Sequence, residues 1–106
     1  MCDTHTLSFK GKTIISQCKE CNIINIWHDN LLLCFSPPQF KAFKDFTAEL
    51  DQAERSYSFP DGEERLILCT PNRDINFAFT MDEWVNFNDA MDEALYMQEV
   101  YQLIKQ

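Results

Sequence analysis

The sequence predicts an α+β domain, a mainly antiparallel sheet with two helices packed on one face, and two observations favour this class. The segment 33–43 recurs 44 residues later as 77–87, with the same strand-to-helix junction. In each copy an aromatic residue precedes Ser or Thr, and Gln or Glu follows three residues after the hydroxyl, which is a capping box. Short apolar runs bounded by turn residues precede both junctions and predict hairpins. We therefore expect two hairpin-helix units related by a pseudo-twofold axis.

The N-terminal segment 1–22 is expected to hold a strand and a zinc-knuckle-like hairpin. Residues 1–12 are polar and predict irregular structure. Residues 13–18 predict a short strand that runs into Cys18-Lys19-Glu20-Cys21. A second strand follows this turn at once.

The first ββα unit is predicted over 23–54. Its strands, 23–28 and 31–35, are joined by Asp29-Asn30, two residue types that tolerate positive φ in a tight turn. Ser36 caps the helix and Pro37 takes its first position, where a missing N–H costs nothing. Apolar residues at three- and four-residue spacing extend this helix to Arg55.

The second ββα unit is predicted over 67–106. A short extended piece at 57–59 and a turn at 60–62 lead into a strand at 63–70, and a further turn leads to the strand 75–79. Thr80 then caps a helix that runs towards the C-terminus. With no Pro-, Gly- or Ser-rich linker between the units, we expect a single domain over 1–106.

Composition and charge limit the partners. A chain of 106 residues with 45% hydrophobic content can bury a core without a covalent staple. Its 17 acidic and 9 basic residues give a net charge of -8, which opposes nucleic acid and anionic membrane surfaces. No apolar run is long enough to span a bilayer. Only two glycines occur, which excludes a Gly-rich phosphate loop.

The cysteine count predicts a reducing compartment. The first ten residues lack a positive segment followed by an apolar one, so no secretory signal is expected. Five cysteines cannot all pair within one chain. We therefore expect a cytoplasmic protein, in which cysteines are buried thiols, metal ligands or redox groups.

Four residues near the N-terminus have the spacing of metal ligands. Cys2 and His5 form a C-x2-H pair, and Cys18 and Cys21 form a C-x2-C pair. Two such pairs can form a tetrahedral zinc site if a strand returns the chain between them. Asn22 favours this hypothesis because a chain wrapped around a metal often needs a left-handed residue there, and asparagine tolerates that conformation.

Other interpretations of the cysteines stay open. Cys18 and Cys21 could be thiols beside a turn, and His28 or Cys34 could replace one of the four zinc ligands. A redox CxxC is disfavoured, because a strand follows the motif where a low thiolate pKa usually needs a helix N-terminus. Cys34 and Cys69 lie on apolar strands and are expected to be small buried residues.

No catalytic residue is predicted. Asp82, Glu83 and the later acids of the second helix could suggest a carboxylate site, but a solvated acidic face is favoured because neither histidine lies on that helix. The pattern does not predict that Cys69 approaches His28 as a nucleophilic pair.

The C-terminal helix is apolar over a broad arc. One stripe consists of Trp84, Phe87, Met91, Ala94, Met97 or Gln98, Tyr101 and Ile104. Leu95, Tyr96, Val100 and Leu103 widen it. Because this arc exceeds what one small sheet face covers, we expect a homodimer contact through this helix.

The motifs Cys2-x-x-His5, Cys18-Lys-Glu-Cys21, and those at 35–40 and 79–84 together resemble a family of small bacterial proteins of unknown function. The resemblance spans nearly the whole chain, implies no activity and transfers no functional residue. From the residues themselves we expect a non-enzymatic, zinc-stabilised protein-interaction module. The alternative is a CxxC thiol redox protein or another small enzyme.

Overall fold

The computed structural model describes residues 3–50 and 55–105, which contain seven strands and two helices. The elements in chain order are β1 (Thr4–Lys10), β2 (Thr13–Cys18), β3 (Ile24–His28), β4 (Leu31–Phe35), α1 (Pro37–Ala48), β5 (Ser56–Ser58), β6 (Glu64–Cys69), β7 (Asn76–Phe79) and α2 (Met81–Lys105). Within these residues no helix is both long and apolar enough to cross a bilayer.

The strands form two antiparallel sheets. The first has the order β1-β2-β3-β4 and the second has the order β5-β6-β7. The α+β class is therefore confirmed, although the expected single sheet is divided. The division arises because β4 hydrogen-bonds only to β3 among the described strands, and β7 only to β6, so the sheets meet through side chains.

Helix α2 joins the two sheets. It packs along β1 and β2 of the first sheet and also contacts α1, β6 and β7. Its buried stripe consists of Trp84, Phe87, Ala90, Met91, Ala94 and Gln98. Phe87 contacts Phe43 of α1 and Phe77 and Phe79 of β7, so one continuous aromatic core serves both sheets and both helices.

Both predicted capping boxes are present. The Gln39 backbone N–H donates to Ser36 Oγ (3.3 Å), and the Ser36 N–H donates to Gln39 Oε1 (3.0 Å). Thr80 and Glu83 repeat this exchange at 3.2 and 2.9 Å. The wider twofold relation between 23–54 and 67–106 stays a prediction, and residues 51–54 lie outside the described part of the chain.

Two element predictions differ from the structure. Residues 4–10 form β1 rather than irregular structure, and a bulge between Thr6 and Ser8 buries both Leu7 and Ser8, which removes the alternation expected of a strand. Helix α1 ends at Ala48, not at Arg55. The Glu49 N–H donates to Phe46 O (3.2 Å) and the Leu50 N–H to Thr47 O (3.3 Å), and such i to i−3 bonds tighten and close a helix.

The β1–β2 turn presses against α2 at Gly11. Gly11 has a φ of 56°, and a Cβ placed there would lie 2.7 Å from Asn86 Nδ2. Gly62 has a φ of 84°, but a Cβ there would have no neighbour within 4 Å. A substitution at Gly62 therefore tests backbone strain alone, whereas a substitution at Gly11 adds a steric contact with Asn86.

We expect Gly62→Ala to lower the free energy of unfolding by about 1 kcal/mol, the cost of a left-handed alanine. Gly11→Ala should cost more, because it adds the contact with Asn86, and Asn86→Ala in the Gly11→Ala background should remove the excess. Urea denaturation of the wild type, the two single variants and the double variant measures these free energies. Equal costs for the two glycine substitutions would show that the turn does not press on α2.

Candidate functional site

The turn after β2 holds the CxxC motif. Cys18 is 2% exposed, and its Sγ accepts hydrogen bonds from the backbone N–H of Glu20 (3.4 Å) and of Cys21 (3.3 Å). Asn22 has the predicted left-handed conformation, with a φ of 65°. Its N–H donates to the Cys18 carbonyl (3.1 Å), and the Cys18 N–H donates to Ile23 O (2.9 Å). The chain is thus folded tightly around one sulfur atom.

Strand β1 brings the N-terminal segment to this turn. Its register places Thr4 opposite Cys18 and His5 opposite Gln17, and the Lys19 N–H donates to Asp3 O (2.9 Å). His5 and Cys18 therefore lie on adjacent rungs of the hairpin. Cys2, the remaining predicted ligand, lies outside the described residues.

The C-terminal end of α2 covers His5. The His5 and Tyr101 rings lie 4.1 Å apart between centroids, at an interplanar angle of 34°. A cavity of about 190 Å³ separates the β2–β3 turn from the helix, and Gln17, Asn22 and Gln98 contribute to its lining. His5 and the CxxC turn therefore lie within the packed domain, close to the C-terminal end of α2.

A second cluster of potential ligands lies at the other end of α2. Atoms of His28, Asp29 and Glu83 that can coordinate a metal all lie within 4.8 Å of one another. His28 comes from the end of β3, Asp29 from the following turn with a φ of 54°, and Glu83 from the first turn of α2. We call this set the His28 cluster.

Hydrogen bonds orient two members of the His28 cluster. Thr13 Oγ1 lies 3.0 Å from His28 Nδ1, and the Thr80 N–H donates to Glu83 Oε1. The opposite atoms, His28 Nε2 and Glu83 Oε2, then face each other at 3.8 Å. Lys12 Nζ lies 3.4 Å from Glu83 Oε2 and 3.8 Å from Asp29 Oδ2, so an ammonium group partly balances the two carboxylates.

Burial and charge shift the pKa values in opposing ways. Burial lowers the pKa of His28 below its ordinary value, although the Asp29 and Glu83 carboxylates oppose this effect. Burial would raise the pKa of Glu83. The hydrogen bonds from Thr80 and the contact with Lys12 outweigh it, so the Glu83 pKa lies below its usual range. At neutral pH the site therefore combines a neutral imidazole with an ionised carboxylate.

Sequence reasoning missed the His28 cluster. The sequence suggests His28 as a substitute ligand for the cysteine site or as a partner of Cys69, and it favours a solvated face for Glu83 because no histidine lies on α2. The structure corrects this interpretation, since His28 reaches Glu83 from a different strand. The local signal was the Thr80–Glu83 capping box, which predicts how Glu83 is held but not what lies opposite it.

Cys34 and Cys69 line a groove rather than the core. Cys34 is exposed and Cys69 is half-buried, so the prediction that Cys34 is buried was wrong. The groove has a volume of about 470 Å³ and lies beside Phe35, Phe43 and Phe46. Phe35 and Phe43 stack with their centroids 5.1 Å apart and form an apolar wall of the groove.

We expect Thr13→Val to lower the free energy of unfolding by about 1–3 kcal/mol, because it leaves His28 Nδ1 buried without its hydrogen-bond partner. Thr47 is the matched control, since both threonines are almost fully buried. The Thr47 hydroxyl donates to the Phe43 carbonyl inside α1, so Thr47→Val removes no essential partner and should cost much less. Chemical denaturation compares the two, and equal costs would contradict the assigned role of Thr13.

Comparison with known proteins agrees with the resemblance found from the motifs. The model of a family described as Family of unknown function (DUF6686) matches residues 1–99, a range that contains both clusters and ends within α2. No curated protein and no solved structure matches the chain. Because the family model matches nearly the whole chain, the chain belongs to the family of unknown function DUF6686.

Proposed function

We propose that the protein is a non-enzymatic interaction module stabilised by a zinc ion at Cys2, His5, Cys18 and Cys21. The observation that carries this proposal is the pair of N–H···S hydrogen bonds to Cys18. Donors directed at a sulfur atom favour its thiolate form, which is the form that binds metals. The turn therefore prepares the Cys18 sulfur to bind a metal ion, independently of the other three proposed ligands.

Three further features support a structural zinc site. Asn22 has the left-handed conformation that a tight metal-binding turn requires. Strand β3 follows the turn, so the helix N-terminus typical of a redox CxxC is not at this position. Four protein ligands would leave no open position for a substrate, which makes the zinc structural rather than catalytic. A cytoplasmic location belongs to the same proposal, because it keeps the thiols reduced.

The first test is metal content. Protein purified without added zinc should keep about one equivalent through dialysis, and chelation should lower its melting temperature. Cys18→Ser should lose the metal and melt at least about 5 °C lower. Cys69→Ser is the matched control, because Cys69 lies on β6 of the second sheet, and it should keep both properties.

Two outcomes would reject the zinc proposal. One is a Cys18→Ser variant with unchanged metal content and stability. The other is a metal-free wild type in which one CxxC thiol is alkylated quickly at neutral pH, which would support the redox alternative instead.

The interaction surface we propose is the outer face of α2 near its C-terminus. Tyr96 and Leu103 are 64% and 70% exposed and, with Val100, have the i, i+4, i+7 spacing of one helix face. Ile104, 72% exposed, extends this apolar face. We propose a second copy of the chain as the occupant, because an apolar stripe on one helix can pack against the same stripe of a second copy about a twofold axis.

The second test is the oligomeric state. Size-exclusion chromatography with light scattering should show a dimer at high micromolar concentration. Leu103→Lys should shift it to monomer, because a charge would be buried in the contact. Gln102→Lys adds the same charge at an exposed neighbouring position and should leave the dimer intact. A wild-type monomer at all concentrations would overturn this part of the proposal and leave the zinc proposal untouched.

A further inference from the structure

The His28 cluster has a feature that an ordinary surface ion pair lacks. The side chain of His28 is 9% exposed, and its Nε2 makes no hydrogen bond among the described residues, although it faces Glu83 Oε2. Glu83 Oε2, at 3.8 Å, lies beyond hydrogen-bond distance, so this nitrogen is available to another partner. Here it is directed at two carboxylates, so the atoms at the site suit a positively charged ligand.

The orientation of these groups is that of metal ligands held by their outer contacts. A metal-binding histidine usually donates its other ring N–H to a neighbouring oxygen, and Thr13 Oγ1 is placed to accept that proton from Nδ1. The capping box occupies Glu83 Oε1 in the same way and leaves Oε2 for the site. Both groups are thus fixed by interactions that metal binding would not break.

The separation of the His28 and Glu83 ligand atoms suits a single ion. With bonds of about 2.1 Å, adjacent ligands of an octahedral ion lie about 3 Å apart and opposite ligands about 4.2 Å apart. The observed separation of 3.8 Å between His28 Nε2 and Glu83 Oε2 lies between these values. Asp29 belongs to an exposed turn and can adjust its side chain, so three protein ligands can meet while water fills the remaining positions.

Lys12 now occupies the place of a cation. Its ammonium pairs with both carboxylates at 3.4 and 3.8 Å, distances longer than a strong charged hydrogen bond. The Lys12 side chain is 59% exposed and can move into solvent without disturbing the core. A divalent ion would place twice the charge closer to the same oxygens and would therefore displace it.

We propose that His28, Asp29 and Glu83 form a second metal site, which binds a divalent first-row transition-metal ion through one imidazole nitrogen and two carboxylates. This ligand set differs from the thiolate-rich site proposed above. Carboxylates and imidazole suit Mn²⁺ and Fe²⁺ as well as Zn²⁺, whereas thiolates select softer ions. The proposal does not depend on the zinc site.

Titration of the zinc-loaded full-length protein with Mn²⁺ tests the proposal, with free Mn²⁺ followed by electron paramagnetic resonance. We expect about one Mn²⁺ per chain with saturable binding. Glu83→Gln should weaken binding by at least about tenfold while keeping the capping box, as Gln39 does in α1. Asp29→Asn should also weaken it, and asparagine tolerates the left-handed turn.

Two further variants separate a metal site from an ion pair. Lys12→Met should tighten Mn²⁺ binding by about fivefold, because it removes a competing charge about 4 Å from the ligands. Glu93→Gln is the control, because Glu93 is a carboxylate on the same helix that pairs with Lys10 at 3.1 Å, and it should leave binding unchanged.

The proposal is overturned if wild type binds Mn²⁺ no better than Glu83→Gln and Asp29→Asn do, or if Lys12→Met does not tighten binding. The Cys18→Ser variant separates the two sites, since it should lose zinc and still bind Mn²⁺ as wild type does.

Discussion

The contact between His28 and the phenylalanines of β7 and α2 holds the two sheets together. The His28 ring meets Phe77 and Phe79 nearly at right angles, with centroids 5.6 and 4.9 Å apart. Among the described residues no strand of one sheet hydrogen-bonds to a strand of the other, so this aromatic packing connects the sheets together with α2. It places an ionisable ring against the apolar core, where Thr13 lies within hydrogen-bond distance of one ring nitrogen and Glu83 faces the other. The polar cluster is therefore a consequence of how the sheets join.

Helix α2 connects the two candidate metal sites. Glu83 lies in its first turn beside His28, and Tyr101 lies near its end against His5. At a rise of about 1.5 Å per residue these positions are about 27 Å apart, so the helix spans the distance between the two clusters. Each cluster lies between one end of the helix and the first sheet.

Local features of this fold could be predicted from the sequence, and long-range features could not. The Asp29 turn, both capping boxes and the left-handed Asn22 follow from residues within four positions of one another. Strand β1 was missed because its bulge breaks the two-residue period, and the division into two sheets depends on contacts between distant segments. At the candidate sites, the CxxC turn could be predicted from the spacing of its two cysteines. The pairing of His28 with Glu83 could not be predicted, because it depends on where α2 packs against the sheet.

The hydroxyl of Ser8 donates to the carbonyl of Ala90 (2.8 Å), and this bond joins residues 82 positions apart. The first strand is thus covered by the last helix. During synthesis, the β3–β4 hairpin and α1 can form from neighbouring residues, whereas the face of β1 and β2 waits for nearly the whole chain to leave the ribosome. Until then Leu7 and Ile15 stay in contact with water, and such exposed apolar surface makes a partly folded chain prone to aggregation.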